Sequence, residues 1–267
     1  MNYGVVCTCA TSNIGDDIQS LAAIDLLRQN GISEYICVER EALRHYSGEP
    51  IALIMNGWFL HNPKNFPPSD KIKPLFISFH CEHEEVIKEH RKYFQKHEPI
   101  GCRSNSTVSM CEKHGIKAYL SGCITLCFDE APEKEEYVCA TDIHFDGLIE
   151  HKNLIYLTHN EEDLLTQSNQ KRLQRAETLL DLYRGAELVI TSRLHCILPC
   201  RAFNTNAKFV HSLYDVDPRF KGLEDIINGQ KLENINFNDV PSTVDRKIIA
   251  KHKDRLRSTF KELLNQS

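Results

Sequence analysis

No stretch of this chain approaches the ~18 consecutive apolar residues that a membrane-spanning helix needs. The first residues, MNYGVVCTCATSN, carry neither a basic segment nor a long apolar one, so a secretory signal peptide is not expected. Basic charge is not in excess. The 32 Lys and Arg stand against 37 Asp and Glu, a net charge of −5, and the electrostatic footprint of a nucleic-acid binder is missing. G-x-G-x-x-G and H-E-x-x-H are both absent, which removes the dinucleotide fingerprint and the commonest zinc-protease motif. Low-complexity tracts and sequence-level repeats are absent as well. The bulk composition, 41% hydrophobic and 26% charged, is that of a soluble globular protein, and 267 residues suit two domains of about 130 each.

Cysteine is plentiful instead: eleven residues, an odd number, with Cys7, Cys37, Cys139 and Cys196 inside apolar runs. Reduced, buried thiols in a cytoplasmic protein are expected, not a disulfide framework. The pairs Cys123/Cys127 and Cys196/Cys200 are four apart, wider than the C-x₂-C knuckles of zinc sites, so no metal is expected.

Strand-like and helix-like segments alternate. Tyr3–Cys9, Tyr35–Val38, Ile51–Met55, Leu75–Phe79, Pro99–Cys102 and Lys117–Leu120 read as strands. Asp16–Gln29, His83–Lys96 and Thr107–His114 read as helices, the last closed by Gly115. Phe128–Glu136, acidic and containing Pro132, reads as a linker. Beyond it Tyr137–Ala140, Leu154–Thr158, Leu188–Ile190 and Lys208–His211 are predicted strands, with helices over Leu164–Arg184 and from Leu194. Leu213–Gly222 reads as a loop containing Asp217-Pro218. Val244–Leu264 is a long terminal helix whose Lys247, Lys251, Lys253, Arg255 and Arg257 read as solvated. Strand alternating with helix predicts parallel sheets with helical crossovers, an α/β fold with domains at 1–130 and 131–267.

Four polar clusters follow predicted strands. Leu188–Cys200 (LVITSRLHCILPC) runs from a strand through Thr191-Ser192-Arg193 into a helix carrying His195. Ligands bind at such carboxyl ends of strands, and a helix N-terminus favours an anion. A capping serine, a surface arginine and a core histidine would be the purely structural account. The clustering of all three at one turn favours function. Cys196 is no partner for His195 as a nucleophile, because adjacent helical residues point apart. Ser12-Asn13-Ile14-Gly15-Asp16-Asp17-Ile18-Gln19 follows the first strand. Gly15 permits close backbone approach to a ligand, but a helix cap by Ser12 or Asn13 explains the block more simply. Asn56-Gly57-Trp58-Phe59 brings the only tryptophan to a strand end, as a sugar-stacking face or as a core anchor. In Arg103-Ser104-Asn105-Ser106-Thr107 a guanidinium beside hydroxyls suits phosphate or carboxylate, while a cap with a surface arginine is the commoner outcome.

Taken in order, these blocks resemble the polysaccharide pyruvyl transferase family. The matching residues are Asn13, Gly15, Asp16 and Gln19; Gly57-Trp58; Pro99–Ser104 with Thr107; Lys117–Leu126; and Thr191–His195. The chain is short for that family, and the block around Cys123–Cys127 is richer in cysteine than its pattern. The resemblance implies two Rossmann-like domains facing a cleft, as in glycosyltransferase-B enzymes, with the terminal helix a candidate to pack back on the first domain. It implies transfer of the enolpyruvyl group of phosphoenolpyruvate, a donor substrate and not a cofactor, onto two hydroxyls of a saccharide acceptor, giving a cyclic pyruvate ketal. By the same resemblance Arg193, Arg103, Ser192, Ser104, Asn13 and Gly15 bind the donor, Trp58 and Gln19 the acceptor, and His195 and Asp16 act as acid or base. No cofactor, metal, nucleic acid or oligomeric state is implied. A nucleotide-sugar-dependent glycosyltransferase on the same fold, with Arg193 on the diphosphate, is the alternative, and a non-catalytic glycan-binding protein is the second. A pH–rate profile bending in the ordinary histidine range is expected.

Overall fold

Among the described residues eleven strands form two parallel sheets, each wound in the same order. The computed structural model describes residues 2–59, 62–131, 133–143, 153–232 and 239–266. The first half contains β1 (Asn2–Cys7), α1 (Gly15–Gln29), β2 (Ile36–Glu39), β3 (Ile51–Trp58), β4 (Ile72–His80), α2 (Glu84–Glu89), α3 (Arg91–Lys96), β5 (Ile100–Cys102), α4 (Asn105–Lys113) and β6 (Ala118–Leu120). The second contains β7 (Glu135–Thr141), β8 (Leu154–Leu157), α5 (Asn169–Gly185), β9 (Ala186–Thr191), α6 (Leu194–Phe203), β10 (Asn206–His211), α7 (Glu224–Ile227), β11 (Gln230–Lys231) and α8 (Arg246–Asn265). The sheet orders are β2-β1-β3-β4-β5-β6 and β11-β10-β9-β7-β8, with every pairing parallel. Both have the doubly wound order in which the second strand lies outside the first, so the direction of winding reverses beside β1 and beside β7. The repeat is one of topology and leaves no trace in the residues.

The central strands are apolar on both faces, as buried parallel strands must be: every residue of Ile51–Gly57 and nearly all of Ile72–His80 are buried. One core cluster spans the two halves. Val5, Ile54 and Ile77 of the first sheet, Ile18, Ala22 and Leu26 of α1, Leu179 and Ile197 of α5 and α6, and Val189 of the second sheet belong to it. α1 packs on β1 and β3 and against α5 and α6, which cover β7, β9 and β10. The other face of the first sheet holds a separate aromatic core, where Phe94 stacks on Phe66 at 5.0 Å and lies 5.8 Å from Phe76 and Phe79.

The expected elements are found with instructive differences. β3 does not stop at Met55: Gly57, at φ +119°, forms a register irregularity that carries the strand on to Trp58. His83–Lys96 is two helices broken at His90 (φ −98°, ψ 23°). The helix predicted from Leu164 begins at Asn169, because Ser168 Oγ accepts from Lys171 N–H, and Glu162–Thr166 is a 3₁₀ turn. Cys37 is exposed, against expectation, because β2 is an edge strand; all eleven cysteines are free thiols. The acidic linker is tethered: Phe128 is buried against Phe203, and Lys253 Nζ donates to its carbonyl at 2.6 Å. Pro132 lies outside the described residues.

α8 reaches back to the first half. Arg255 Nη2 donates to Ser121 O at 3.5 Å and Arg257 Nη2 to Cys127 O at 3.0 Å. Lys253, Arg255 and Arg257 are therefore structural, not merely solvated. Their long stems lie along apolar surface while their heads satisfy carbonyls at chain reversals. Among the described residues no helix is long and apolar enough to cross a membrane.

Candidate active site

A polar residue stands just past or at the carboxyl end of nearly every central strand: Thr8 after β1, Trp58 and His80 ending β3 and β4, Arg103 after β5, Asp142 after β7, His159 beyond β8 and Arg193 after β9. The two sets meet at the start of α1. Ile14 N–H donates to His159 O at 2.9 Å, Glu161 N–H to Ser12 O at 2.9 Å, and Asn13 bridges Asn160. Asn13 Oδ1 accepts from Gly15 N–H at 3.1 Å and so supports the helix start. Ser12 does not cap: its Oγ donates to Asn160 Oδ1. Gly15 is required for packing between the halves. A Cβ there would lie 3.0 Å from Asn13 Oδ1, 3.2 Å from His159 Nδ1 and 3.4 Å from His195 Cβ.

Arg103 is a buried cation, 2% exposed, without an ion-pair partner among the described residues. Nη1 donates to Gln19 Oε1 at 3.3 Å, and Nε has no partner. Burial holds its pKa below the ordinary guanidinium value, and neighbouring Arg219 lowers it further. A buried charge without a counter-ion is unfavourable in the free protein, and an arriving anion relieves it.

His195 opens α6 at a non-helical φ/ψ (−83°, 16°); the residue is half-buried, and its Nε2 atom is buried without a partner among the described residues. Burial drives its pKa well below the usual imidazole value, and Arg103, His159, Arg219 and His80 push it in the same direction. His80 is held down to about 4, by burial first and then by Arg103. Its Nδ1 meets Ser104 Oγ at 3.0 Å and Thr107 Oγ1 at 3.1 Å, and its Nε2 meets Glu82 Oε1 at 3.2 Å. His159, at about 3 through burial, bonds Tyr183 Oη at 3.0 Å. His80, His159 and the Arg103 guanidinium thus lie near enough to His195 to act on its charge.

The remaining residues of the expected set are distributed around it. Asp16 accepts from Gln19 Nε2 at 3.1 Å and pairs with Arg40 Nη1 at 3.4 Å, so an Arg40–Asp16–Gln19–Arg103 chain links strand ends across the first sheet. Arg193 differs from Arg103. It is 40% exposed, and Asp142 Oδ2 accepts from its Nε at 2.7 Å. Burial pushes the Asp142 carboxyl up, but bonds from Thr158, the His159 N–H and Arg193 outweigh it, and the group is held below its ordinary value. Asp142 adopts φ +52°, a left-handed conformation whose strain those bonds offset. Arg193, not Ser192, occupies the cap position of α6, and Ser192 Oγ donates to Asp142 O at 3.2 Å. Ser104 begins α4 without a side-chain cap and serves His80 instead. Trp58 sits half-buried, edge-on to His80 at 6.2 Å.

Sequence reasoning missed His80, His159, Arg40 and Arg219. Arg219 lies in the Leu213–Gly222 segment, where Asp217 holds its Nε from both carboxylate oxygens, at 2.9 and 3.0 Å. His80 and His159 had a signal in hindsight, since each stands at or beyond a strand's carboxyl end. No group of three or more His, Cys, Asp or Glu among the described residues could hold a metal ion.

The sequence profile of polysaccharide pyruvyl transferase matches residues 13–207, well over half of the chain and every strand-end residue named above except Thr8. The chain belongs to the polysaccharide pyruvyl transferase family. It is therefore a transferase enzyme acting on glycans. No curated protein matches the sequence. Among solved structures it is similar to a functionally uncharacterised protein of Klebsiella pneumoniae, at 16% identity and a TM-score of 0.51, covering 82% of this chain and 87% of that one. At that identity the likeness concerns the fold alone. As a pyruvyl transferase family member, the protein carries its Arg103, Gln19, His195 and Asp16 blocks on both sides of the α1 junction.

Proposed function

We propose that the protein transfers the enolpyruvyl group of phosphoenolpyruvate to a saccharide, forming a pyruvate ketal, in the cytoplasm. The two sheets would act as the facing halves of a glycosyltransferase-B-like enzyme, residues 1–130 on the acceptor side and 131–267 on the donor side. The observation that carries this is Arg103: a buried guanidinium with an unpartnered Nε and no counter-ion among the described residues, whose charge reaches His195. Such a site favours a small, multiply charged anion.

The chemistry follows. A proton adds to the donor's methylene carbon, which becomes a methyl group, and cationic character develops at the adjacent carbon. One sugar hydroxyl attacks there and loses its proton. The C–O bond to phosphate breaks, and a second hydroxyl of the same sugar closes the ring, its proton completing the balance with the departing phosphate. Arg103 stabilises the phosphate as charge builds on it, Arg219 adds to that field, and Arg193 takes the donor carboxylate at the rim. Ser104, Ser192, Asn13 and Gly15 support this donor site through the contacts described above. His195 is neutral in the free protein. A bound anion offsets the Arg103 and Arg219 field that depresses it, so donor binding itself raises the imidazole pKa and readies it to deliver a proton. Asp16 receives the hydroxyl proton, with Gln19 and Trp58 on the acceptor side.

The test is acceptor-dependent release of inorganic phosphate from phosphoenolpyruvate, with the product ketal carbon and methyl group followed by NMR. Equimolar phosphate and ketal support the reading. Phosphate-free transfer of a sugar from a nucleotide sugar contradicts it.

A further inference from the structure

Two cavities share Arg40. The outer one, about 610 Å³, opens where the loop after β1 meets the 3₁₀ turns at Arg40–His45, Pro63–Asn65 and Glu162–Thr166. Its volume is that of a small-molecule site. The inner one, about 10 Å³, has room for one water or one hydroxyl oxygen, and Thr8, Asp16, Gln19 and Asn56 line it with Arg40. Thr8 Oγ1 and Asn56 Oδ1 are buried there without a hydrogen-bond partner among the described residues. Buried polar atoms are nearly always satisfied, so two orphans in one cavity beside Asp16 point to an oxygen that belongs between them.

The outer cleft has balanced charge. Arg40 donates to Glu41 Oε1 at 3.1 Å, to Asp16 Oδ2 at 3.4 Å and to Trp58 O at 3.1 Å, leaving no uncompensated lining cation for an anionic ligand. Its neutral groups are better placed to bind. Asn62 Oδ1 accepts from Lys64 N–H, while its amide nitrogen has no partner among the described residues. Asn65 Nδ2 donates to Glu41 Oε2, while its oxygen likewise has none. Leu165, 52% exposed, supplies one aliphatic patch. Carboxamides and a hydroxyl beside a single apolar surface, without net charge, match the hydroxyl edge and C–H face of a sugar ring.

We infer that this cleft seats an uncharged saccharide, with Asn62, Asn65 and Ser12 on its hydroxyls and Leu165 under its C–H face. Thr8 and Asn56 are satisfied by the oxygen that enters behind Arg40. The inference deepens the pyruvyl-transfer reading and rests on it for the statement that this saccharide is the acceptor. It places the acceptor's approach at the junction of the two halves, toward Asp16 and Gln19.

The experiment is saturation-transfer NMR of the full chain with methyl glycosides of glucose, galactose and mannose, their disaccharides, methyl glucuronide and glucose 6-phosphate. Leu165→Glu and Asn62→Ala/Asn65→Ala change exposed or half-exposed positions and should fold. At least one neutral glycoside should give a signal that falls about fivefold or more in both variants, the effect of one or two lost contacts. Absence of any neutral signal, an undiminished signal in both variants, or binding of the charged sugars alone overturns the inference. Thermal stabilisation by phosphoenolpyruvate, run in parallel, separates the two readings. If the wild type shows none while the saccharide signal behaves as expected, the cleft stands and the donor assignment fails. Stabilisation without a saccharide signal is the reverse.

Discussion

Arg103 and Gln19 are joined by one long hydrogen bond, Nη1 to Oε1 at 3.3 Å, the only one the buried guanidinium makes among the described residues. A structural arginine in such a place would be paired. Arg172 is the contrast: its Nε and Nη2 grip both carboxylate oxygens of Asp17, at 3.0 and 2.8 Å, and Nη1 satisfies two carbonyls.

The two arginines should therefore respond oppositely. Arg103→Met removes an uncompensated buried charge and should leave stability unchanged or raise it, while donor binding falls about 100-fold or more. Urea unfolding and calorimetric titration of the same variant read both effects. A loss of several kcal/mol in stability would make Arg103 a structural residue.

Arg172→Ala strands the Asp17 carboxylate at the α1–α5 contact that joins the halves. A loss of about 3–5 kcal/mol is expected, measured by denaturant unfolding. A change below about 1 kcal/mol would mean the pair does not hold the junction.

Gly15→Ala would ordinarily favour a helix. Here the added methyl group presses on Asn13 Oδ1 and His159 Nδ1, so a loss of about 1–2 kcal/mol is expected, with a larger fall in turnover because the imidazoles shift. Stabilisation by the substitution, seen as a raised Tm, would show that the junction has slack.

Acid should weaken the fold. His80 and His159 stay neutral down to about 4 and 3, and His195 is also held well below its ordinary value. Above about 6.5 these groups are neutral in both states and pH has no leverage. Below it the unfolded chain takes up protons that the folded one refuses, so stability falls toward pH 4, by up to about 1.4 kcal/mol per pH unit for each histidine. Asp17, raised to about 6 by burial despite Arg172, opposes this between its unfolded value and 6, as does Asp25, also raised by burial; His97 and His211, lowered by burial, act with the other three histidines. Urea midpoints at pH 7, 6 and 5 should decline, and a flat series contradicts the buried neutral cluster. The same burial moves the expected bend of the pH–rate profile in free enzyme to the acid side of the ordinary histidine range.

Much of this was legible in the residues. Apolar runs ending in polar clusters marked the strand ends and singled out Arg193 and His195, while Arg103, Asp16 and Asn13 were named only through the family resemblance. What sequence could not convey was partnership. Arg193 and Arg103 look alike in the chain, yet Asp142 pairs with the first while the second's guanidinium bonds, among the described residues, only the neutral Gln19. Arg219 sat in an unremarkable loop because its approach to His195 is made by the fold. β3 was cut short at Met55 because a glycine reads as a turn unless it is known to sit in a bulge.

The most direct measurement is thermal stability of the wild type and Arg103→Met with phosphoenolpyruvate and, separately, UDP, GDP and their sugars. At ~100 times its dissociation constant a ligand adds about 2.7 kcal/mol, a readily visible shift. The account requires stabilisation by phosphoenolpyruvate in the wild type and its loss in Arg103→Met. Equal stabilisation of both proteins, or stabilisation by a nucleotide alone, contradicts it.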